Sequence, residues 1–217
     1  MKSPRAVKRN PFEIMRDRHK GSSDGRAAMM KSYNVVVNRV LYQFRALGKA
    51  LIDASSIIYM DKAGFLVNVA KAIELYSPEE ILAETGLRGL LVHPIHLADK
   101  SLPNDQKLIA CALMQQLPVI SEDQKILLRL EREKTPYFNA LMMLNYLLFK
   151  KDISSDQHRM FFQSLIRCSW YSRQVLAFSN KVYDCIVNRN SERVSRSDLT
   201  APAKVLRQAM FNHADGL

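Results

Sequence analysis

The sequence predicts an α/β fold: a short parallel sheet flanked by helices, with a basic N-terminal arm and helix before it and an all-helical annex after it. Three observations carry this expectation. Between residues 49 and 135, short apolar runs alternate with helical patterns, which implies parallel pairing. After Thr135-Pro136 the alternation stops and only helical patterns remain. Over 217 residues, 47% are apolar and 24% charged, enough for a buried core, while 7 Gly and 8 Pro are too few for a many-turned all-β chain. The predicted divisions are 1–48, 49–135 and 136–217.

Residues 1–24 are polar and basic and end in a Gly21-Ser22-Ser23-Asp24-Gly25 punctuation, so they read as an arm. From Arg26 to Leu47, Met29, Met30, Tyr33, Val36, Val37, Val40, Leu41 and Phe44 recur at helical steps, and Gly48 ends the helix. Ala50-Leu51-Ile52-Asp53 reads as a buried strand ending on an acid. Ser55 or Ser56 then caps a helix through Ile73. Ser77-Pro78-Glu79-Glu80 has the form of a helix start, with a Ser cap and Pro at the first helical position, and this helix stops at Gly86. Gly89–Val92 is the second expected strand, closed by Pro94. Pro103-Asn104-Asp105 opens a helix through Leu117, Pro118–Ser121 is the third strand, and Glu122-Asp123 starts a helix to Lys134. Residues 137–150, about 155–189 and 201–213 read as helices, with 191–200 a loop.

Net charge is +11, unevenly placed. Residues 1–50 carry +9, residues 51–135 carry −3 and residues 136–217 carry +5. Basic flanks attract a phosphate backbone or an anionic surface, or simply keep the chain soluble. The cluster Lys2, Arg5, Lys8, Arg9, Arg16, Arg18 and Lys20 is the candidate phosphate contact, with a solubilising tail as the alternative. Carboxylates in the middle would repel a polyanion unless a cation lies between them. The longest apolar run, Ala140–Phe149, is too short to span a membrane, so no membrane partner is expected. No apolar signal region follows the basic N-terminus, and Cys111, Cys168 and Cys185 lack CxxC spacing; a cytoplasmic protein with free thiols is expected.

Asp53 and Asp123 follow the first and third expected strands. Ligands of open parallel sheets bind outside the carboxyl ends of strands, near the switch in strand order. Asp105 reaches that mouth if its helix begins there, and Glu84 if its short helix leans over it. Singly, each acid reads as a helix cap, a first-turn residue or a solvated face. Together, converging carboxylates either take up protons or recruit a hard divalent cation such as Mg²⁺ or Mn²⁺, which lets a phosphate approach.

These blocks, Leu51-Ile52-Asp53-Ala54-Ser55-Ser56-Ile57, Ser77–Glu84, Asn104-Asp105 with Ile109 and Ala112, and Val119-Ile120-Ser121-Glu122-Asp123, resemble the PIN-domain nucleases. The resemblance covers roughly residues 49–134. It implies a parallel sheet flanked by helices and Mg²⁺- or Mn²⁺-dependent cleavage of RNA. It assigns Asp53, Glu84, Asp105 and Asp123 to the acids that bind metal and catalyse, and Ser55 and Ser121 to the supporting hydroxyls. Glu79, Glu80 and Asp99 are alternatives for the place of Glu84. A toxin of a toxin–antitoxin pair, with an antitoxin-like protein partner, an RNA-processing factor and a homo-oligomer are all compatible. So is a PIN-like protein that binds RNA or assembles without cleaving it. A phosphoacceptor receiver would need an acidic pair on an earlier strand, where residues 1–48 offer a basic arm and a helix.

His93-Pro94-Ile95-His96 suggests either a metal pair or ordinary loop histidines. Phe161, Phe162, Trp170, Tyr171, Phe178 and Tyr183 lie among Arg159, Arg167, Arg173 and Lys181, and offer base stacking, a core or an oligomer face. A Gly-rich phosphate loop, a GxSxG elbow and an HExxH pair are absent from the sequence.

Overall fold

A computed structural model describes residues 23–89, 91–97 and 101–188, with side chains from residue 35 onward. The basic cluster from Lys2 to Lys20, Asp99, and the expected loop and helix beyond residue 190 lie outside the described residues.

Helix α1 (Ser23–Ala46) buries Val36, Val37, Val40, Leu41 and Phe44, the stripe its sequence spacing predicts. Strand β1 (Lys49–Ile52) follows. The next helical stretch is two helices, α2 (Ala54–Lys62) and α3 (Leu66–Ala72), because Gly64 sits at φ +84°, a left-handed turn that admits Gly at little cost. The cap of α2 is Asp53 itself, whose side chain accepts the Ser56 N–H; Ser55 and Ser56, expected as caps, lie inside the first turn after Ala54.

Strand β2 (Glu74–Pro78) corrects the expected Ser77-capped helix start. Ser77 is fully buried and its hydroxyl donates to Ile52 O at 2.8 Å across the sheet, so it is not available to cap. Helix α4 (Glu79–Glu84) begins only after Pro78. Strand β3 is His93–Ile95, not Gly89–Val92; it contains Pro94, which an edge strand tolerates because one side has no ladder partner. Helix α5 (Asn104–Gln115), strand β4 (Val119–Ile120) and helix α6 (Gln124–Arg132) lie where the sequence puts them.

The region after Thr135 is not purely helical: β5 (Tyr137–Phe138) adds a strand before α7 (Ala140–Lys150). The single helix expected over 155–189 is two, α8 (Ser155–Cys168) and α9 (Arg173–Val187), separated by a turn whose Ser172 caps α9.

The sheet has five parallel strands in the order β3-β2-β1-β4-β5, with helices on both faces. Alternation along β1 divides the interior. Ala50 and Ile52 join the large apolar core formed with α1, α2, α3, α7, α8 and α9, and Leu51 faces the smaller one under α4, α5 and α6. Helix α7 is buried from Ala140 to Leu148, which explains its near-continuous apolar sequence. Phe44 anchors this side, 5.5 Å from the Tyr146 ring and 5.7 Å from Phe138 and Phe149, while the Tyr146 hydroxyl donates to Leu47 O at 3.0 Å. Burying Phe44 alone contributes roughly 2–3 kcal/mol. Among the described residues no helix is long and apolar enough to cross a membrane, and the three cysteines are free.

Candidate metal-binding carboxylate site

The first strands to diverge are β1 and β4. From β1 the chain goes outward through β2 and β3; β4 and β5 lie on its other side. The strand order reverses between β1 and β4, the point at which open parallel sheets bind ligands outside the carboxyl ends of their strands. Register sets Ile52 opposite Ile120, and Asp53 N–H donates to Ile120 O at 3.1 Å, so the residues leaving the two strands emerge side by side.

Asp53 is only 6% exposed, and its carboxylate is held from both strands. Oδ1 accepts the Ser56 N–H at 2.6 Å. Oδ2 accepts the Ser55 hydroxyl at 3.0 Å, the Ser121 hydroxyl, and the Glu122 N–H at 3.3 Å. Ser121 is fully buried and also accepts the Asp123 N–H on its hydroxyl at 3.0 Å. Asp123 in turn caps α6, its Oδ1 accepting from Lys125 N at 2.6 Å and Ile126 N at 3.3 Å. Asp53 and Asp123 are thus helix caps and neighbours at the strand mouth at once; the two readings of these acids are compatible. Ser55 and Ser121 both support Asp53.

Asp105 stands in the first turn of α5 and is exposed. Partial desolvation raises its pKa, and the charges of Asp123, Glu84 and Asp53 raise it further, opposed by Lys125. All three partner acids thus lie within electrostatic reach of Asp105. Glu84, the last residue of α4, accepts a hydrogen bond from Asn104 beside Asp105. The alternatives for its place go elsewhere: Glu80 pairs with the buried Lys107 at 2.7 Å, and Glu79 with His96 at 2.7 Å. The Lys107–Glu80 pair ties α5 to α4 and so fixes the two helices that carry Asp105 and Glu84.

Asp105 thus feels the charges of the other three acids, but among the described residues no three His, Cys, Asp or Glu side chains form a group placed to hold a metal ion. The donor type suits a hard cation: carboxylate oxygens, with hydroxyls around them. His93 and His96 do not act as a pair, since His93 packs on the Tyr76 ring at 5.2 Å and His96 meets Glu79.

One acid escaped the sequence reading as a site residue. Glu122, between Ser121 and Asp123, turns its carboxyl inward: Oε1 accepts the Ala140 N–H at 2.6 Å at the start of α7, and Tyr171 lies against it. Burial pushes its pKa up to about 8, with the nearby Asp53 charge adding to the effect. In sequence it is one more acid at a helix start; only the annex folding over it gives it away. Compared with known proteins, the chain matches no family model, no curated protein and no solved structure.

Proposed function

We propose that the chain is a PIN-type endoribonuclease that hydrolyses RNA phosphodiesters with Mg²⁺ or Mn²⁺ bound by Asp53, Asp105, Asp123 and Glu84. The observation that carries the proposal is the shared field on Asp105 at the mouth between β1 and β4, where Ser55 and Ser121 hold Asp53. A divalent cation bound there supplies charge neutralisation and a more acidic water. Asp53 is the fixed member of the set, oriented by hydrogen bonds from both strands. Asp105 and Glu84 stand on exposed helix ends, Glu84 held by the Asn104 amide. The Asp123 carboxylate is steered by the first turn of α6. The basic flanks supply the long-range attraction for RNA. Toxin and RNA-processing roles, an antitoxin-like partner and a homo-oligomer remain compatible with this chemistry, in the cytoplasm.

The test is incubation with total RNA, with Mn²⁺ or with EDTA, for the wild type, Asp105→Asn and Asp53→Asn. Asparagine is chosen at position 53 because alanine would strip four donors of their acceptor. Mn²⁺-dependent fragments that vanish in both variants support the proposal; undiminished cleavage in EDTA or in the variants overturns it.

A second reading, a PIN-like protein that binds RNA without cutting it, is favoured by one observation. Oδ2 of Asp53 already accepts three donors, which competes with an ion for its lone pairs. RNA binding unaffected by EDTA, without fragments, would decide for it.

A further inference from the structure

The turn between α8 and α9 is Ser169-Trp170-Tyr171-Ser172, and it is anchored on both sides of one residue. Ser169 is buried, its hydroxyl donating to Leu165 O. Tyr171 tucks its hydroxyl into the interior against Glu122. Ser172 accepts the Val175 N–H at 3.2 Å and caps α9. Just before the turn, the Cys168 thiol meets Tyr59 O of α2 at 3.9 Å. Between these anchors Trp170 is 100% exposed, and it is the chain's one tryptophan.

Single exposed apolar residues are ordinary. Trp170 differs in its setting. Its neighbour Tyr171 has its hydroxyl buried near Glu122, and the Glu122 N–H donates to the Asp53 carboxylate. Arg167 and Arg173 flank it, both exposed, and neither forms an ion pair among the described residues. A large flat ring on an anchored turn, with exposed arginines before and after it in the chain, suits a nucleobase with its adjoining phosphates. Duplex bases are already stacked and offer no free face, so the ligand is single-stranded.

We infer that Trp170 is a base-stacking platform for single-stranded RNA at the edge of the carboxylate site, with Arg167 and Arg173 contacting the phosphates. The inference rests on the reading of that site as one that acts on RNA. It adds a contact on the annex, away from the acids in sequence, for one base of an unpaired strand. Met160 and Ile166, exposed on α8, offer the competing occupant, a second copy of this chain.

The full chain is titrated with a 12-nucleotide oligouridylate in EDTA, and the tryptophan emission, which comes from Trp170 alone, is followed. Saturable quenching is expected, with a duplex of the same length giving little. By anisotropy of the labelled oligonucleotide, Trp170→Ala should bind roughly 5- to 150-fold more weakly, as removal of one stacked base does. Trp170→Phe should recover most of the loss, because a phenyl ring still stacks. Binding without a change in emission and with Trp170→Ala unaffected would overturn the inference. So would an emission that shifts with protein concentration alone, which is the signature of self-association through the indole, or a failure to bind the oligonucleotide at all. Cleavage in Mn²⁺ is scored separately. Stacking without cleavage leaves the inference standing and removes the nuclease reading; cleavage with Trp170 silent does the reverse.

Discussion

Replacing Ser121 by Ala removes one oxygen and two hydrogen bonds at the centre of the site. The Ser121 hydroxyl donates to Asp53 Oδ2 and accepts the Asp123 N–H at 3.0 Å, in a position with no solvent exposure. Loss of a donor to a carboxylate costs about 1.5–3 kcal/mol, and loss of the acceptor for a neutral amide about 1 kcal/mol. Two features reduce the total. Asp53 keeps Ser55 and the N–H groups of Ser56 and Glu122, and the Ser121 N–H stays paired with Phe138 O at 2.9 Å. The expected net cost is about 2–3 kcal/mol, against about 1 kcal/mol for Ser55→Ala, which removes a single part-buried bond. Urea denaturation measures both, with the slope expected to be unchanged and only the midpoint moved. In thermal terms Ser121→Ala should lower Tm by about 4–12 °C for a chain of this size. A Ser121→Ala variant less than about 1 kcal/mol below wild type, or level with Ser55→Ala, would refute the claim that β1 and β4 are stitched together through this carboxylate.

Three further outcomes follow from the charged groups. His158 is buried against Phe162 and Tyr183, and burial pushes its pKa down to about 4; the unfolded chain takes up this proton near 6.5, so stability falls as pH drops from 6.5 to about 4, by about 2–3 kcal/mol, and His158→Gln should lack that component in pH-dependent unfolding. Glu122 works in the opposite direction: its folded pKa of about 8 lies above the ordinary 4.5, so stability is lost as pH rises through that window, and Glu122→Gln should gain about 4–5 kcal/mol on wild type at pH 9 relative to pH 4. Asp105→Asn removes a carboxylate whose ionisation is opposed by three others, so in EDTA at neutral pH its Tm should exceed that of wild type, while added Mn²⁺ should raise the Tm of wild type and leave the variant unmoved.

Much of the site was legible because its residues sit at strand ends. A short apolar run followed by an acid is a local signal that points to β1, β4, Asp53 and Asp123, whereas Ser121 enters only through the family resemblance. The errors share a different cause, a local pattern overruled by a distant partner. Ser77-Pro78 has the form of a helix start, yet the Ser77 hydroxyl is claimed by Ile52 O on the neighbouring strand. Asp53 displaced Ser55 and Ser56 as the cap of α2 because the strand ends there and its carboxylate already faces the first turn. Strand β5 is only Tyr137–Phe138, too short for a period-2 pattern to register, and its identity comes from pairing with β4. Glu122 could not be told from its acidic neighbours, since what marks it out, the Ala140 N–H and the nearby Tyr171, comes from the annex and is distant in sequence.

The unequal thickness of the two sides of the sheet bears on how the molecule comes apart. Glu84, Asp105 and Asp123 are carried by α4, α5 and α6, which rest on the thinner interior around Leu51, Leu108 and Val119, while Asp53 caps α2, whose Ile57 and Met60 lie in the heavier one. Elements with less buried contact open at lower free energy than the whole. Warming would therefore disperse the carboxylates while the half built on six helices still stands, so any chemistry these acids perform would fade well before the last amide protons exchange.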